Sequence, residues 1–230
     1  DQKYLSDTWE YNPETNSWRQ MDDFKGGARY YAIGFGIDNY GYVGTGYNDN
    51  YLKDFYRFDP TATAGSQWTI VNGFGGQKRQ GGTAFVIDGK AYVCGGQNNN
   101  SDVSDFWCFD PSAATPWTQL RDIANTSDDD YDDDYTSIVR SYGVSFVIDG
   151  KAYLTLGSTA GGSYYSNYWI YDPATDLWEG DDLTAFEGST RIHAVCFSTG
   201  TRGIVATGGS GSSSYFDDTW ELKPYEYEEE

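Results

Sequence analysis

Apolar and polar residues alternate in short runs along this 230-residue chain, and one seven-residue run returns five times: DTWEYNP at 7–13, DFYRFDP at 54–60, DFWCFDP at 105–111, NYWIYDP at 167–173 and DTWELKP at 218–224. Each copy places an aromatic at its third position (Trp9, Tyr56, Trp107, Trp169, Trp220) and an apolar residue at its fifth (Tyr11, Phe58, Phe109, Tyr171, Leu222). A period of two predicts a strand buried on one face. The closing proline has no N–H for a ladder, so it ends the strand and opens a turn. After four copies a tryptophan follows within eight residues: Trp18, Trp68, Trp117 and Trp178.

A second pattern fills the intervals. It starts at an arginine, runs through a β-rich stretch and closes on glycine, from Arg29 to Gly46, Arg79 to Gly96, Arg140 to Gly157 and Arg191 to Gly209. In the middle two copies Asp88-Gly89 and Asp149-Gly150 separate alternating apolar runs, which is the strongest short-range hairpin signal. Each unit therefore reads as a hairpin, a third strand and a Trp-bearing fourth strand. The seven-residue runs recur at intervals of 47, 51, 62 and 51 residues. Four strands at a period near 50 predict a propeller blade, because one such sheet cannot bury both faces alone. The expected blades span about 29–68, 79–117, 140–178 and 191–224, with a partial blade at 1–18.

Composition supports an all-β class. Leu, Ile, Val and Phe together make only 40 residues, which with a net charge of −20 would ordinarily point to disorder, yet 8 Trp, 21 Tyr and 12 Phe supply a core in ring form. The 28 glycines suit tight turns between many short strands. The acidic balance argues against nucleic acid and anionic membrane partners. No apolar run approaches the roughly 18 residues of a membrane span, and Asp1 opens no targeting segment. Three cysteines (Cys94, Cys108, Cys196) do not form a disulfide framework and leave the redox compartment open.

These residues resemble the kelch repeat: an Arg before the first strand, a Gly-Gly after the second, a Tyr-Asp-Pro-like third strand and a following Trp. The resemblance covers nearly the whole chain. Its glycine pair is intact at Gly95-Gly96 and Gly208-Gly209 and is replaced by Thr45-Gly46 and Leu156-Gly157 elsewhere. The wording of the repeats is also similar to secreted or surface-anchored bacterial kelch proteins, which implies a periplasmic or cell-surface location. The resemblance implies a kelch-type β-propeller of four-stranded blades. Its five third strands, four hairpins and four Trp strands do not divide evenly. Either residues 1–18 belong to a blade whose hairpin lies upstream, or the ends meet, with the tail from Tyr225 to Glu230 or the amino-terminal strands closing the ring. About five repeats are expected, as four complete or ring-closed blades plus a partial fifth, and a cut from a larger propeller stays open.

Arg29, Arg79, Arg140 and Arg191 should surround one mouth of the central channel, as candidate ligand-binding residues suited to carboxylates. The alternative is that they brace loops between blades. Similar kelch proteins, among them ubiquitin-ligase adaptors and sialic-acid mutarotases, place binding arginines at matching positions. His193 lies two residues after Arg191 and could face the same mouth. As the lone histidine it cannot provide the two-histidine copper shell of galactose oxidase-like propellers, so copper radical oxidation is not expected. The run from Asp128 to Asp134, six carboxylates in seven residues, could hold Ca²⁺ through oxygen. It lacks the D-x-[DN]-x-[DN]-G loop, and a solvated excursion is the preferred reading. Segments Tyr47 to Tyr51, Gln97 to Asn100 and Gly161 to Asn167 join second to third strands, and their Tyr, Asn and Ser suit sugar or peptide surfaces as well as turn chemistry.

No nucleophile elbow, P-loop or H-E-x-x-H is present. The leading expectation is a non-catalytic module binding a carbohydrate or protein, with no cofactor. The alternative is a sialic-acid mutarotase or epimerase, with Arg79, Arg140 or Arg191 on the sugar carboxylate and His193 or an acidic neighbour moving the proton. A purely structural or assembly role is the third reading.

Overall fold

The computed structural model describes residues 4–180, 184–211 and 213–224; the tail considered above for ring closure, Tyr225 to Glu230, lies outside them. The first hairpin pairs β1 (Trp9–Asn12) with β2 (Ser17–Gln20). Blade 1 follows, with strands β3 (Ile33–Ile37), β4 (Tyr40–Gly44), β5 (Phe55–Phe58) and β6 (Trp68–Val71) in meander order. Blade 2 has β7 (Thr83–Ile87) and β8 (Lys90–Cys94), then a short loop ladder of β9 (Gln97–Asn98) with β10 (Ser101–Asp102), then β11 (Trp107–Phe109) and β12 (Trp117–Gln119). Blade 3 has β13 (Val144–Ile148), β14 (Lys151–Thr155), β15 (Trp169–Asp172) and β16 (Leu177–Glu179). Blade 4 has β17 (Val195–Ser198), β18 (Gly203–Ala206), a loop ladder of β19 (Gly209–Ser210) with β20 (Ser214–Tyr215), and β21 (Thr219–Leu222). Among the described residues its main sheet has three strands. The molecule is an all-β propeller arrangement of four blades.

The Asp-Gly turns form as their chemistry dictates, with positive φ at both central residues: Asp88 at 48° and Gly89 at 74°, Asp149 at 48° and Gly150 at 76°. Such turns match the right-handed twist of the strands they join. The glycine of the second pattern answers to packing. At Gly46, Gly96, Gly157 and Gly208, φ lies between 86° and 93°, and an added Cβ would fall 2.6–2.9 Å from a carbonyl oxygen of the residue after the repeat arginine. The fourth copy of the pair is thus Thr207-Gly208, one residue earlier than the Gly208-Gly209 read from the sequence. Its first member sits at φ 61°, alongside Thr45 at 58°, Gly95 at 63° and Leu156 at 59°.

The core lies between blades. Residues Ile33, Ile37, Tyr42 and Phe55 of blade 1 meet Ala91, Val93, Phe109 and Trp117 of blade 2. Phe85, Tyr92 and Phe106 of blade 2 meet Leu154, Tyr171 and Trp178 of blade 3. Val144, Phe146 and Ile148 of blade 3 meet Val205 of blade 4. The first strands β3, β7, β13 and β17 are neighbours in that order, so they line the axis and carry the residues that reach the mouth.

Candidate functional site

Each repeat arginine precedes its first strand and turns inward. Its Nε donates to the carbonyl two residues back, at Gly27, Gln77, Ile138 and Ser189, with distances of 2.9–3.2 Å. Its Nη1 donates to the first residue of the glycine turn, at Thr45, Gly95, Leu156 and Thr207, with distances of 2.9–3.1 Å. The rest of the guanidinium meets the residue that opens the third-strand pattern. Arg29 grips Asp54 (2.7 and 3.0 Å), Arg79 grips Asp105 and Arg191 grips Asp218. In blade 3 the partner is Asn167, whose Oδ1 accepts from Arg140 at 3.1 Å. The four arginines are buried, none more than 7% exposed.

This geometry corrects the expected positive rim. The arginines brace turn to strand inside each blade, and their donors point into the fold rather than into the channel. Burial without a carboxylate brings Arg140 down to about 10, whereas the Arg191 guanidinium holds Asp218 down at about 2. The bracing aspartates are the first residues of the seven-residue pattern, a regularity visible in the sequence that alternation alone does not explain.

Two residues beyond each arginine the chain reaches the axis. Tyr31, Gly81, Tyr142 and His193 all take the left-handed conformation, with φ of 53°, 63°, 58° and 58°. That bend aims three rings at one point. Tyr31 stacks on His193 at 5.0 Å and 10°, Tyr31 meets Tyr142 at 5.0 Å, and Tyr142 meets His193 at 4.5 Å. Glycine is required in the second blade because a Cβ on Gly81 would lie 2.4 Å from the Tyr142 ring. The Gly81 N–H donates to Tyr31 O and the Tyr142 N–H to Gly81 O, tying three blades together around the mouth.

Beneath the rings, the Tyr142 hydroxyl accepts from the side-chain amides of Gln80 and Gln97, each at 2.8 Å. Burial pushes that phenol up to about 12 and pushes His193 below its ordinary value, keeping the imidazole neutral near pH 7. The rings continue sideways: Tyr30 touches Tyr31 at 4.6 Å, Tyr4 at 5.2 Å and Tyr47 at 5.5 Å, and Tyr47 meets Tyr51 at 5.1 Å. On its other side His193 borders a cleft of about 440 Å³ with Ile192, Gly208, Tyr215 and Phe216 in its walls. Tyr215 is 82% exposed.

Of the expected site residues, only His193 reaches this surface. Tyr31 and Tyr142 share its place two residues after a repeat arginine, the signal that marks them in the sequence. The Tyr47–Tyr51 loop joins the ring array and Gln97 supports it, while Asn167 is used inside blade 3 as the partner of Arg140. In the acidic run, Asp132 is buried and accepts from the backbone N–H groups of Thr126 and Ser127 at 3.0 Å, so it caps its own loop. Among the described residues no group of three or more His, Cys, Asp or Glu side chains is gathered as a metal ion would need. Among them, too, no helix is long and apolar enough to cross a membrane.

Comparison with known proteins agrees with this architecture. The kelch motif model matches residues 78–120, which hold the blade 2 strands. Kelch-like protein 15 of Danio rerio is 25% identical over 181 residues, 75% of this chain and 29% of its own length, so the chain spans under a third of that relative. The solved structure of YjhT superposes with a TM-score of 0.69 at 17% identity, covering 91% of this chain and 74% of that one. With the repeated arginine brace, the glycine turns and the four-blade arrangement, the chain has the fold of a kelch-type β-propeller, with a kelch motif matched at residues 78–120.

Proposed function

We propose that the chain is a non-catalytic binding module whose axial mouth takes a neutral carbohydrate. The observation that carries this reading is the convergence of Tyr31, Tyr142 and His193 at the axis, flanked by further tyrosines and the cleft at Tyr215. Aromatic rings offer flat apolar faces to the C–H faces of a sugar, and they lose little side-chain entropy on contact. Neutral rather than acidic sugars are favoured because the chain carries −20 and its four repeat arginines are occupied within the blades. The competing mutarotase-like reading asks for a guanidinium on the sugar carboxylate. Arg79, Arg140 and Arg191 would have to leave buried carbonyl and carboxylate partners to provide one. By the resemblance described above, we place the module outside the cytoplasm.

The test is thermal unfolding against neutral and acidic glycans, with Tyr31→Ala and Tyr215→Ala beside the parent. A ligand at about 100 times its Kd adds roughly 2.7 kcal/mol, so a neutral glycan should raise the midpoint of the parent and lose its effect in the variants. An unchanged midpoint with every glycan would reject the carbohydrate reading in favour of a protein partner. Accelerated anomer exchange of an acidic sugar would favour the enzyme.

A further inference from the structure

The rings at the mouth form a strip that runs from one loop to another, and the repeats show that the scaffold does not require it. The residue after each repeat arginine bridges to the residue after the glycine turn: Tyr30 to Tyr47, Gln80 to Gln97, Ser141 to Ser158 and Ile192 to Gly209. The backbone bridge is the same in all four blades, yet only blade 1 places an aromatic pair on it. The residue that next pairs with the turn position is Tyr51, Asp102, Tyr164 and Tyr215 in the four blades. Blade 2 forms the same ladder with Gln97 and Asp102, so the tyrosines of the other loops are not demanded by the fold.

From the blade 1 loop to the axis the rings of Tyr51, Tyr47, Tyr30, Tyr31 and His193 follow in series, each centroid 4.6–5.5 Å from the next. The first three are half-buried, and Tyr31 and His193 are exposed. Beyond His193 the cleft of about 440 Å³ extends to Tyr215, a volume within the range of small-ligand sites. Both ends are fixed before any ligand arrives. Tyr4 stacks on Tyr30 while its hydroxyl donates to Asp49 at 2.6 Å, and the Tyr164 hydroxyl accepts from the Gly211 N–H in the cleft wall at 2.8 Å. A single sugar ring is no wider than one aromatic side chain, so it covers only part of this path. Successive ring planes turn by 81°, 36° and 73° from Tyr31 to Tyr51, which suits a chain whose own units turn rather than a flat ribbon.

We propose that the mouth is an extended site for a linear neutral oligosaccharide several residues long. One residue sits in the cleft between His193 and Tyr215, and the following ones lie on Tyr31, Tyr30 and Tyr47 toward the blade 1 loop. This rests on the carbohydrate reading above and adds to it the length of the ligand and the line along which it lies.

The probes are linear oligosaccharides of glucose, galactose, mannose and xylose, from the monosaccharide to the hexasaccharide, titrated calorimetrically against the whole chain. In the series that binds, affinity should rise roughly three- to tenfold with each of the first few added residues and then level off. Tyr47→Ala and Tyr51→Ala should remove most of this gain with length, whereas Tyr215→Ala should weaken binding at every length. Tyr47→Phe and Tyr51→Phe keep the ring faces and should keep the gain, and unfolding midpoints of all variants separate a lost contact from a damaged loop. Equal affinity for the monosaccharide and the hexasaccharide, weakened by Tyr215→Ala, would overturn the extended site and leave the carbohydrate reading standing. Binding by no member of the panel would overturn both. Aromatic-lined grooves also take polyproline helices, so binding of an oligoproline peptide, lost in the same alanine variants, would overturn the proposal in favour of a peptide.

Discussion

At the scale of single residues, the arginine brace is the repeated unit of stability. Each guanidinium is taken out of water, which is tolerable only when its donors meet carbonyls and a carboxylate in good geometry. Blade 3 departs from this rule, because Arg140 is 1% exposed and its partner is the uncharged Asn167. Asn167→Asp should therefore stabilise the chain by about 1–2 kcal/mol, roughly 3–6 °C in the unfolding midpoint. A lower midpoint in that variant would show that the amide's 2.7 Å bond to Ser137 Oγ matters more than a charge partner. Glycines separate in the same way. Gly157→Ala would place a Cβ 2.6 Å from Ser141 O at φ 86° and should cost about 3 kcal/mol. Gly162→Ala, at φ 85° with nothing within 4 Å, should cost about 1 kcal/mol. Equal losses in chemical denaturation would refute the clash as the cause. The glycine turns were legible in the sequence, although one lay a residue away from its reading. The pairing of Arg29 with Asp54 was not, because residues 25 apart meet only once the second and third strands are side by side.

At the scale of elements, alternation along a strand names which residues share a face but not whether a neighbour covers it. The first strands show this. Phe85 and Phe146 are 4% and 3% exposed, buried by the blades that follow them, while Phe197 at the same register is 58% exposed, with Val195 also at 58%. Phe146→Ala should cost about 3–5 kcal/mol, since the ring packs over Gly203 of blade 4. Phe197→Ala should cost under about 1 kcal/mol. Urea titrations of the two variants check the contrast, and similar midpoints would mean that Phe197 is covered in solution. The hairpins, third strands and Trp strands of the middle blades follow the sequence patterns closely, because Asp-Gly turns and proline stops are local chemistry.

At the scale of the whole molecule, acid should unfold the propeller in a defined range. Asp22, Asp59, Asp110, Asp132, Asp172 and Asp218 are all held below the ordinary value of 3.8 by hydrogen bonds, Asp110 and Asp218 down to about 2. A depressed carboxylate contributes stability above its unfolded value and loses it as the pH falls toward the folded one. Asp102 and Asp122 are raised by burial and act in the opposite sense, but they are fewer. The unfolding midpoint should thus fall between pH 4 and about 2. A flat profile there would contradict the hydrogen-bond pattern. His193, pushed down by burial, adds a smaller loss as the pH drops below its ordinary 6.5, and this loss should vanish in His193→Asn.

From the amino acids alone came the all-β class, the four hairpins and the kelch likeness, which rest on composition and on neighbours two to twenty residues apart, and the period near 50 residues, which needs only the return of one short run along the chain. The direction of the arginines, the meeting of Tyr31, Tyr142 and His193, and the contrast between Phe146 and Phe197 were decided by tertiary structure. Ring geometry explains why. Residues from separate repeats meet only when successive blades stack about one axis, and a side chain's exposure depends on whether the next blade is there to cover it.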